Sequence, residues 1–340
     1  RGLGDVYKRQ VREGTNLSNS RVSQPSEFEL IATYFKDLTG QQGVALGIGD
    51  DAALLNPNPN TQLVVATDTL VESVHFPTHA SAEQIATRAL CVNLSDMAAM
   101  GATPRWFTLA LTLPNTDAEW LSGFSRGLAE VANQFGIALI GGDTTSGPLT
   151  ISLTLLGEVP IGVALQRNGA GPGDGIYVTG TLGDGAAGLA VIEDLGKQGN
   201  ERLLTRFYRP EPQVQAGKKL QGLASACIDI SDGLVADLGH ICKSSGVSAN
   251  LWSEHLPIDP ELVQRFPEQA LTWALSGGDD YQLCFTVAEA NVGMIDKLVA
   301  QGALDATMIG QIQAVTDGGC QVLVDDKRVA LKRGFDHFDR

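Results

Sequence analysis

Six short segments set aspartate beside glycine or inside an apolar run: Gly49-Asp50-Asp51, Thr67-Asp68-Thr69, Asn93-Leu94-Ser95-Asp96, Gly141-Gly142-Asp143-Thr144-Thr145, Asp229-Ile230-Ser231-Asp232-Gly233 and Gly277-Gly278-Asp279-Asp280. Aspartate and glycine are ordinary turn residues, and for any one segment that reading suffices. Three contexts argue for more. Asp96 is flanked by Leu94, Met97, Ala98 and Met100, Asp68 stands just beyond the apolar run Leu63–Ala66, and Asp229 lies inside Ala226-Cys227-Ile228-Asp229-Ile230. A carboxylate in apolar surroundings is costly unless it is paired or binds a metal. No Lys or Arg neighbours these three in sequence. Hard oxygen donors without His or Cys suit Mg²⁺, Ca²⁺ or Mn²⁺. Gly142 and Gly233 would let backbone come close to a phosphate, and Ser231-Asp232-Gly233 precedes a helix whose N-terminus would receive phosphate oxygens. The chemistry that combines such parts is metal-assisted phosphoryl transfer.

Other motifs fail on context. Gly47-Ile48-Gly49-Asp50-Asp51-Ala52 matches a dinucleotide fingerprint, yet a strand and a Pro-rich turn follow where a helix is required. Gly123-Phe124-Ser125-Arg126-Gly127 has the spacing of a nucleophile elbow but falls mid-helix. His75 and His79 have helical zinc spacing, but Pro77 lies between them. No G-x-x-x-x-G-K-[ST] run occurs, which excludes the usual P-loop.

Composition narrows the class. With 340 residues, two domains are the default, and 43% apolar against 19% charged residues marks a globular chain. There are 24 basic and 39 acidic residues, net −15, which disfavours binding to nucleic acid or an anionic membrane. A phosphate substrate would then need positive charge brought in by carboxylate-held metal. The five cysteines, Cys91, Cys227, Cys242, Cys284 and Cys320, contain no C-x-x-C and are odd in number. They read as reduced thiols of a cytoplasmic protein. No apolar run approaches the ~20 residues that span a bilayer.

The elements that must position the aspartates follow from pattern. Residues 1–24 are polar and unpatterned and are expected to be a disordered tail. A short helix opens at Ser26 and stops at Gly40, followed by strands Val44–Ile48, Ala52–Leu55 and Leu63–Ala66. Ser81, with Gln84 at the capping-box position, starts a long helix that Gly101 ends. Trp106–Leu113 reads as a strand and Asp117–Phe135 as a helix with Leu121, Phe124, Leu128, Val131 and Phe135 on one face. Strands Ile137–Ile140 and Thr150–Leu156 flank a Gly/Asp turn. Gly157–Asp174, rich in Gly and Pro, is the expected boundary between domains 25–160 and 161–340. Beyond it strands are expected at Ile176–Thr179, Cys227–Ile230, Gln282–Val287, Met308–Ile312 and Gln321–Val324. Helices are expected at Ala186–Leu195, Val214–Ala224, Leu234–Lys243 and Ala288–Ala300. Two mixed α/β domains fit better than one doubly wound sheet, since helices and strands do not alternate regularly.

On these residues the chain resembles the thiamine-monophosphate kinases, within the superfamily of aminoimidazole ribonucleotide synthetase, selenophosphate synthetase and a hydrogenase-maturation protein. The runs GIGDDAALL (47–55), ATDTLVESVHF (66–76), VNLSDMAAMGA (92–102), LIGGDTTSGP (139–148), IDISDGLVADLGHI (228–241), ALSGGDDYQLCFT (274–286) and GFDHF (334–338) carry the resemblance. It implies ATP-dependent conversion of thiamine monophosphate to thiamine diphosphate by in-line transfer with several Mg²⁺ ions. It also implies a homodimer whose N-terminal domains pair to form a β-barrel, with those domains holding ATP and Mg²⁺. On the matching positions it implies Asp51, Thr67, Asp68, Asp96, Asp143, Asp229 and Asp232 as metal ligands, with Asp68, Asp96 and Asp143 catalytic. Gly142, Asp143, Arg167 and Ser231 are implied as ATP contacts, and His75, Asp279 and Phe335 as contacts to thiamine phosphate. A carboxylate and an aromatic face suit a cationic thiazolium. Ser146, Ala66 and Gln282 stand where the family often has Arg, Ser and Glu. The alternatives are aminoimidazole ribonucleotide synthesis and a non-catalytic metal- and nucleotide-binding scaffold. Asp50 and Asp280 receive no role.

Overall fold

The computed structural model describes residues 26–38, 43–193, 201–316 and 319–328. The expected tail, the Gly40 stop and Phe335 lie outside the described residues.

The first half runs through helix α1 (Glu27–Leu30), a small hairpin β1 (Val44–Leu46) and β2 (Leu54–Leu55), strand β3 (Thr61–Val71), helix α2 (Ala82–Ala99), strand β4 (Thr103–Leu113), helix α3 (Ala118–Phe135), and strands β5 (Ala138–Ser146) and β6 (Thr150–Pro160). Wider and tighter helical turns extend α1 to Leu38. The large sheet has the order β3-β6-β4-β5, antiparallel except for β4 and β5, which are parallel and joined through α3. Burial alternates along β4 and β6, so one face packs on the helices and the other stays open. Leu90, Leu94, Met97, Phe107, Leu121 and Phe124 form the centre of that core.

The second half contains strand β7 (Gly175–Thr179), helices α4 (Asp184–Glu193), α5 (Glu201–Tyr208) and α6 (Val214–Leu220), strand β8 (Ala224–Asp229), helix α7 (Leu234–Ser245) and strand β9 (Ser248–Leu251). Helices α8 (Pro260–Arg265) and α9 (Ala270–Ser276), strand β10 (Leu283–Val287), helix α10 (Glu289–Ala300) and strands β11 (Ala306–Gln313), β12 (Val322–Val324) and β13 (Lys327–Arg328) complete it. Its mixed sheet has the order β13-β12-β9-β11-β7-β10-β8. Two mixed α/β layers, each with its own sheet, are therefore present.

Helix α2 is the seam between the halves. Ser81 accepts the Gln84 N–H and Gln84 returns a bond to the Ser81 N–H, so the expected capping box forms. The helix is buried nearly all round, because α3 and the first sheet cover one side while α5, α6 and β8 cover the other.

One expected strand end and one expected turn are strand. Thr67 and Asp68 lie inside β3, which continues because Thr67 and Thr69 pair across to Thr154 and Ser152, with oxygens 2.9 and 2.7 Å apart. Likewise Gly141-Gly142-Asp143 is not a turn but the middle of β5. A Cβ at Gly142 would stand 1.9 Å from the Leu109 carbonyl oxygen, so close strand packing already demands glycine there. Helix α5 was not expected; its Leu203 and Phe207, four apart and both buried, are the apolar stripe that marks it.

Candidate active site

Two of the apolar-flanked aspartates border one cavity of about 510 Å³. Asp96 enters from α2 and Asp229 from the end of β8, with residues 62–66 of β3 opposite and Arg167 at the side. Asp68 is on the helix-facing side of β3, where its N–H donates to Asn93 Oδ1 at 3.2 Å. Burial pushes the Asp96 carboxyl up to about 7, Asp229 and Asp68 push the same way, and Arg167 opposes them. Burial also raises Asp229, with Asp68 adding to it and Arg167 opposing. Burial raises Asp68. Arg167 is thus the cation absent from the local sequence around these carboxylates.

The set has the chemistry of a hard-cation site: oxygen donors only, each disfavoured as an anion by burial, and Asp96 and Asp229 by neighbouring carboxylates as well. A divalent ion between them would relieve both costs. Among the described residues no three His, Cys, Asp or Glu side chains are already gathered into an ion cage. The other expected ligands are more dispersed. Asp143 sits in one register row with Ala110, Ser152 and Thr69 on the open face of the first sheet, about 14 Å and three strands from β3. The Thr67 side chain shares that face. Asp51 is exposed in the turn between β1 and β2, where its N–H bonds Asp50 Oδ1.

The Ser231-Asp232-Gly233 turn differs from expectation. Its three N–H groups donate to one atom, Asp237 Oδ2, at 3.1, 3.0 and 3.1 Å. The helix start meant for phosphate oxygens is therefore filled by the chain's own buried carboxylate. Burial, with Asp232 and Asp229 adding to it, pushes Asp237 up to about 7 against the bonds from the turn. The signal was an aspartate four residues after Gly233, inside the first turn of α7. Gly233 is required for packing, since its φ is +114° and a Cβ would lie 2.8 Å from the Ser276 carbonyl carbon.

His75 and Asp279 converge on a residue not anticipated, Arg88 of α2. His75 Nδ1 accepts the Val71 N–H at 3.0 Å, and the His75 carbonyl accepts Arg88 Nε–H at 3.0 Å. Asp279 pairs with Arg88 at 2.6 Å. Asp280 next to it is buried and accepts the Gly183 and Gly185 N–H groups at 2.7 and 3.0 Å. It therefore anchors the start of α4.

Two halves, each with a mixed sheet, and a carboxylate-lined cavity at their seam define the class. Family models described as AIR synthase related protein, N-terminal domain and C-terminal domain match residues 49–159 and 171–322, and the chain belongs to that family. Within it, the chain is 48% identical to the thiamine-monophosphate kinase of Escherichia coli strain K12 over 319 residues, covering 92% of this chain and 98% of that one. The thiamine-monophosphate kinase of Bacillus subtilis strain 168 is 35% identical over 324 residues, covering 92% and 99%. The crystal structure of thiamine-monophosphate kinase from Stenotrophomonas maltophilia K279a superposes with a TM-score of 0.79 at 45% identity, covering 85% of this chain and 93% of that chain. The structure of AaThiL complexed with AMPPCP and TMP gives 0.74 at 33% identity, covering 92% and 97%. The chain is a member of the thiamine-monophosphate kinase family.

Proposed function

We propose that this protein phosphorylates thiamine monophosphate with ATP, giving thiamine diphosphate and ADP. The observation that carries the reading is the meeting of Asp96, Asp229 and Arg167 at one cavity, with Asp68 in electrostatic reach, in a chain 48% identical to a thiamine-monophosphate kinase. In the transfer, an oxygen of the acceptor phosphate bonds to the γ-phosphorus. The bond from that phosphorus to the β–γ bridging oxygen breaks, and ADP leaves with the electron pair.

In this reading Asp51, Thr67, Asp68, Asp96, Asp143, Asp229 and Asp232 would hold Mg²⁺, with Asp68, Asp96 and Asp143 closest to the reaction. Bound Mg²⁺ would supply neutralising charge to the phosphate oxygens. Arg167 brings a fixed cation to the nucleotide, and Gly142, Asp143 and Ser231 complete its contacts. His75, Asp279 and Phe335 receive the thiamine phosphate. Residues 25–160 and 161–340 act as the two domains. The N-terminal domain is proposed to pair with a second copy across the open sheet face, where Leu63 and Val65 are 50% and 59% exposed. Four of the five cysteines are buried and unpaired, which suits a reducing compartment such as the cytoplasm. Among the described residues no helix is long and apolar enough to cross a membrane.

The experiment is direct. Protein, Mg²⁺, ATP and thiamine monophosphate are incubated and thiamine diphosphate is followed by mass spectrometry. Absence of product at every Mg²⁺ concentration would sink the proposal.

A further inference from the structure

Arg88 is 3% exposed in the middle of α2, yet its guanidinium reaches three distant segments. Nε donates to the His75 carbonyl at 3.0 Å, Nη1 to the Phe207 carbonyl at 2.6 Å, and Nη2 to Asp279 Oδ1 at 2.6 Å. Its central carbon stands 4.0 Å from the centroid of the Phe207 ring. A buried cation persists only when paired and hydrogen-bonded, and the planar fork of arginine suits acceptors that arrive from different directions.

The Asp279 segment is strained. Asp279 has φ +69° and Tyr281 φ +50°, left-handed conformations that side-chain-bearing residues keep only where surroundings hold them. Here the surroundings do. The Asp279 and Tyr281 N–H groups bond the Ser231 and Ile230 carbonyls at 2.9 and 2.8 Å. Asp280 ties the turn to Gly183 and Gly185. The Tyr281 hydroxyl donates at 3.1 Å to the same Asp279 oxygen that Arg88 holds. The backbone of Asp279 is thus set by the Ser231 turn, and its carboxylate by Arg88 and Tyr281.

We propose that Arg88 is a positioning residue for the acceptor substrate: without touching it, one guanidinium fixes both the His75 loop and the Asp279 carboxylate. This rests on the reading of His75 and Asp279 as contacts to thiamine phosphate. Loss of the charge releases Asp279 from its orientation and unties the His75 loop from α2. Lysine keeps the charge and one bond to Asp279 but cannot serve all three acceptors.

The test uses the full chain with thiamine monophosphate and ATP varied separately, in Arg88→Met, Arg88→Lys, Asp279→Asn and the Arg88→Met/Asp279→Asn double variant. Arg88→Met is expected to raise KM for thiamine monophosphate about 30-fold and to leave KM for ATP within about threefold. Arg88→Lys is expected to recover most of this, with a rise of about fivefold. The double variant should fall clearly short of the product of the two single losses, because the Asp279 part of the Arg88 effect runs through one ion pair while the His75 part does not. Equal rises for the two substrates, or fully additive losses in the double variant, would mark a merely structural role and overturn the proposal. If Asp279→Asn raises KM for thiamine monophosphate while Arg88→Met does not, the proposal fails and the reading of Asp279 stands. If Asp279→Asn itself has no effect, that reading fails first and takes the proposal with it. Should Arg88→Met not fold, the same split between substrates is read on Arg88→Lys, where an unchanged KM for thiamine monophosphate overturns the proposal.

Discussion

Asp237 Oδ2 lies 3.0 Å from the Asp232 amide nitrogen and is the shared acceptor of three successive N–H groups. The turn between β8 and α7 is thereby closed from within, and Asp232 and Ser231 are held in place beside Asp229. Replacing Asp237 by alanine leaves three donors of a part-buried turn without their acceptor. We expect a stability loss of about 3 kcal/mol in urea unfolding, with a smaller loss for Asp237→Asn, whose amide oxygen can still accept.

The crowding of Asp68, Asp96 and Asp229 gives a prediction of opposite sign. Neutralising one of them relieves burial and like-charge cost in the metal-free protein. Asp96→Asn is expected to stabilise that form by about 2 kcal/mol at pH 8. Addition of Mg²⁺ should raise the melting temperature of the wild type more than that of Asp96→Asn, as read by thermal unfolding with and without the ion.

Asp280 predicts a pH dependence. Burial pushes its carboxyl from 3.8 up to about 8 in the fold, so the protonated form is the one the fold prefers. The stability tied to that proton is complete below about 4 and is lost as pH rises towards about 8. Asparagine carries no such proton. The stability difference between wild type and Asp280→Asn should therefore shift in favour of the variant from pH 5 to pH 9, measured by urea unfolding at each pH.

Gly141 and Gly142 are neighbours with different demands. A Cβ at Gly142 meets the Leu109 carbonyl oxygen at 1.9 Å, whereas one at Gly141 meets nothing within 4 Å. Gly142→Ala should cost about 3 kcal/mol or more by forcing β5 away from β4. Gly141→Ala should be tolerated, and unfolding of the two variants side by side checks this.

The sequence was most legible where structure is local. The Ser81–Gln84 capping box formed where expected, the helix expected from Asp117 begins at Ala118 with Asp117 as its cap, and Leu121, Phe124, Leu128 and Val131 line one buried face of α3. Those signals depend on neighbours three or four residues away. The cost of an apolar-flanked carboxylate is visible in the residues around it, and the structure brings Asp96 and Asp229 to one cavity with Asp68 in electrostatic reach. What escaped is non-local. Arg88 meets Asp279 across 191 positions. Arg167 is implied as an ATP contact, but its opposition to the Asp96 and Asp229 charges comes from outside either segment. Pattern ends the strand before Thr67-Asp68 and reads Gly142-Asp143 as a turn because Thr, Gly and Asp punctuate loops, yet cross-strand partners on β6 and β4 keep both in sheet. Asp237 was overlooked because a lone acidic residue in a first helical turn usually signals only a favourable dipole.

The central claim is that the cavity bordered by Asp96, Asp229 and Arg167 carries phosphoryl transfer from ATP to thiamine monophosphate. Its most direct test is ³¹P NMR of the wild type and Asp96→Asn reacting with both substrates and Mg²⁺. The account predicts that the wild type forms thiamine diphosphate and ADP in equal amounts, and that Asp96→Asn is folded but slower by about 100-fold or more. ADP without thiamine diphosphate in the wild type, or a near-normal rate in Asp96→Asn, would contradict it.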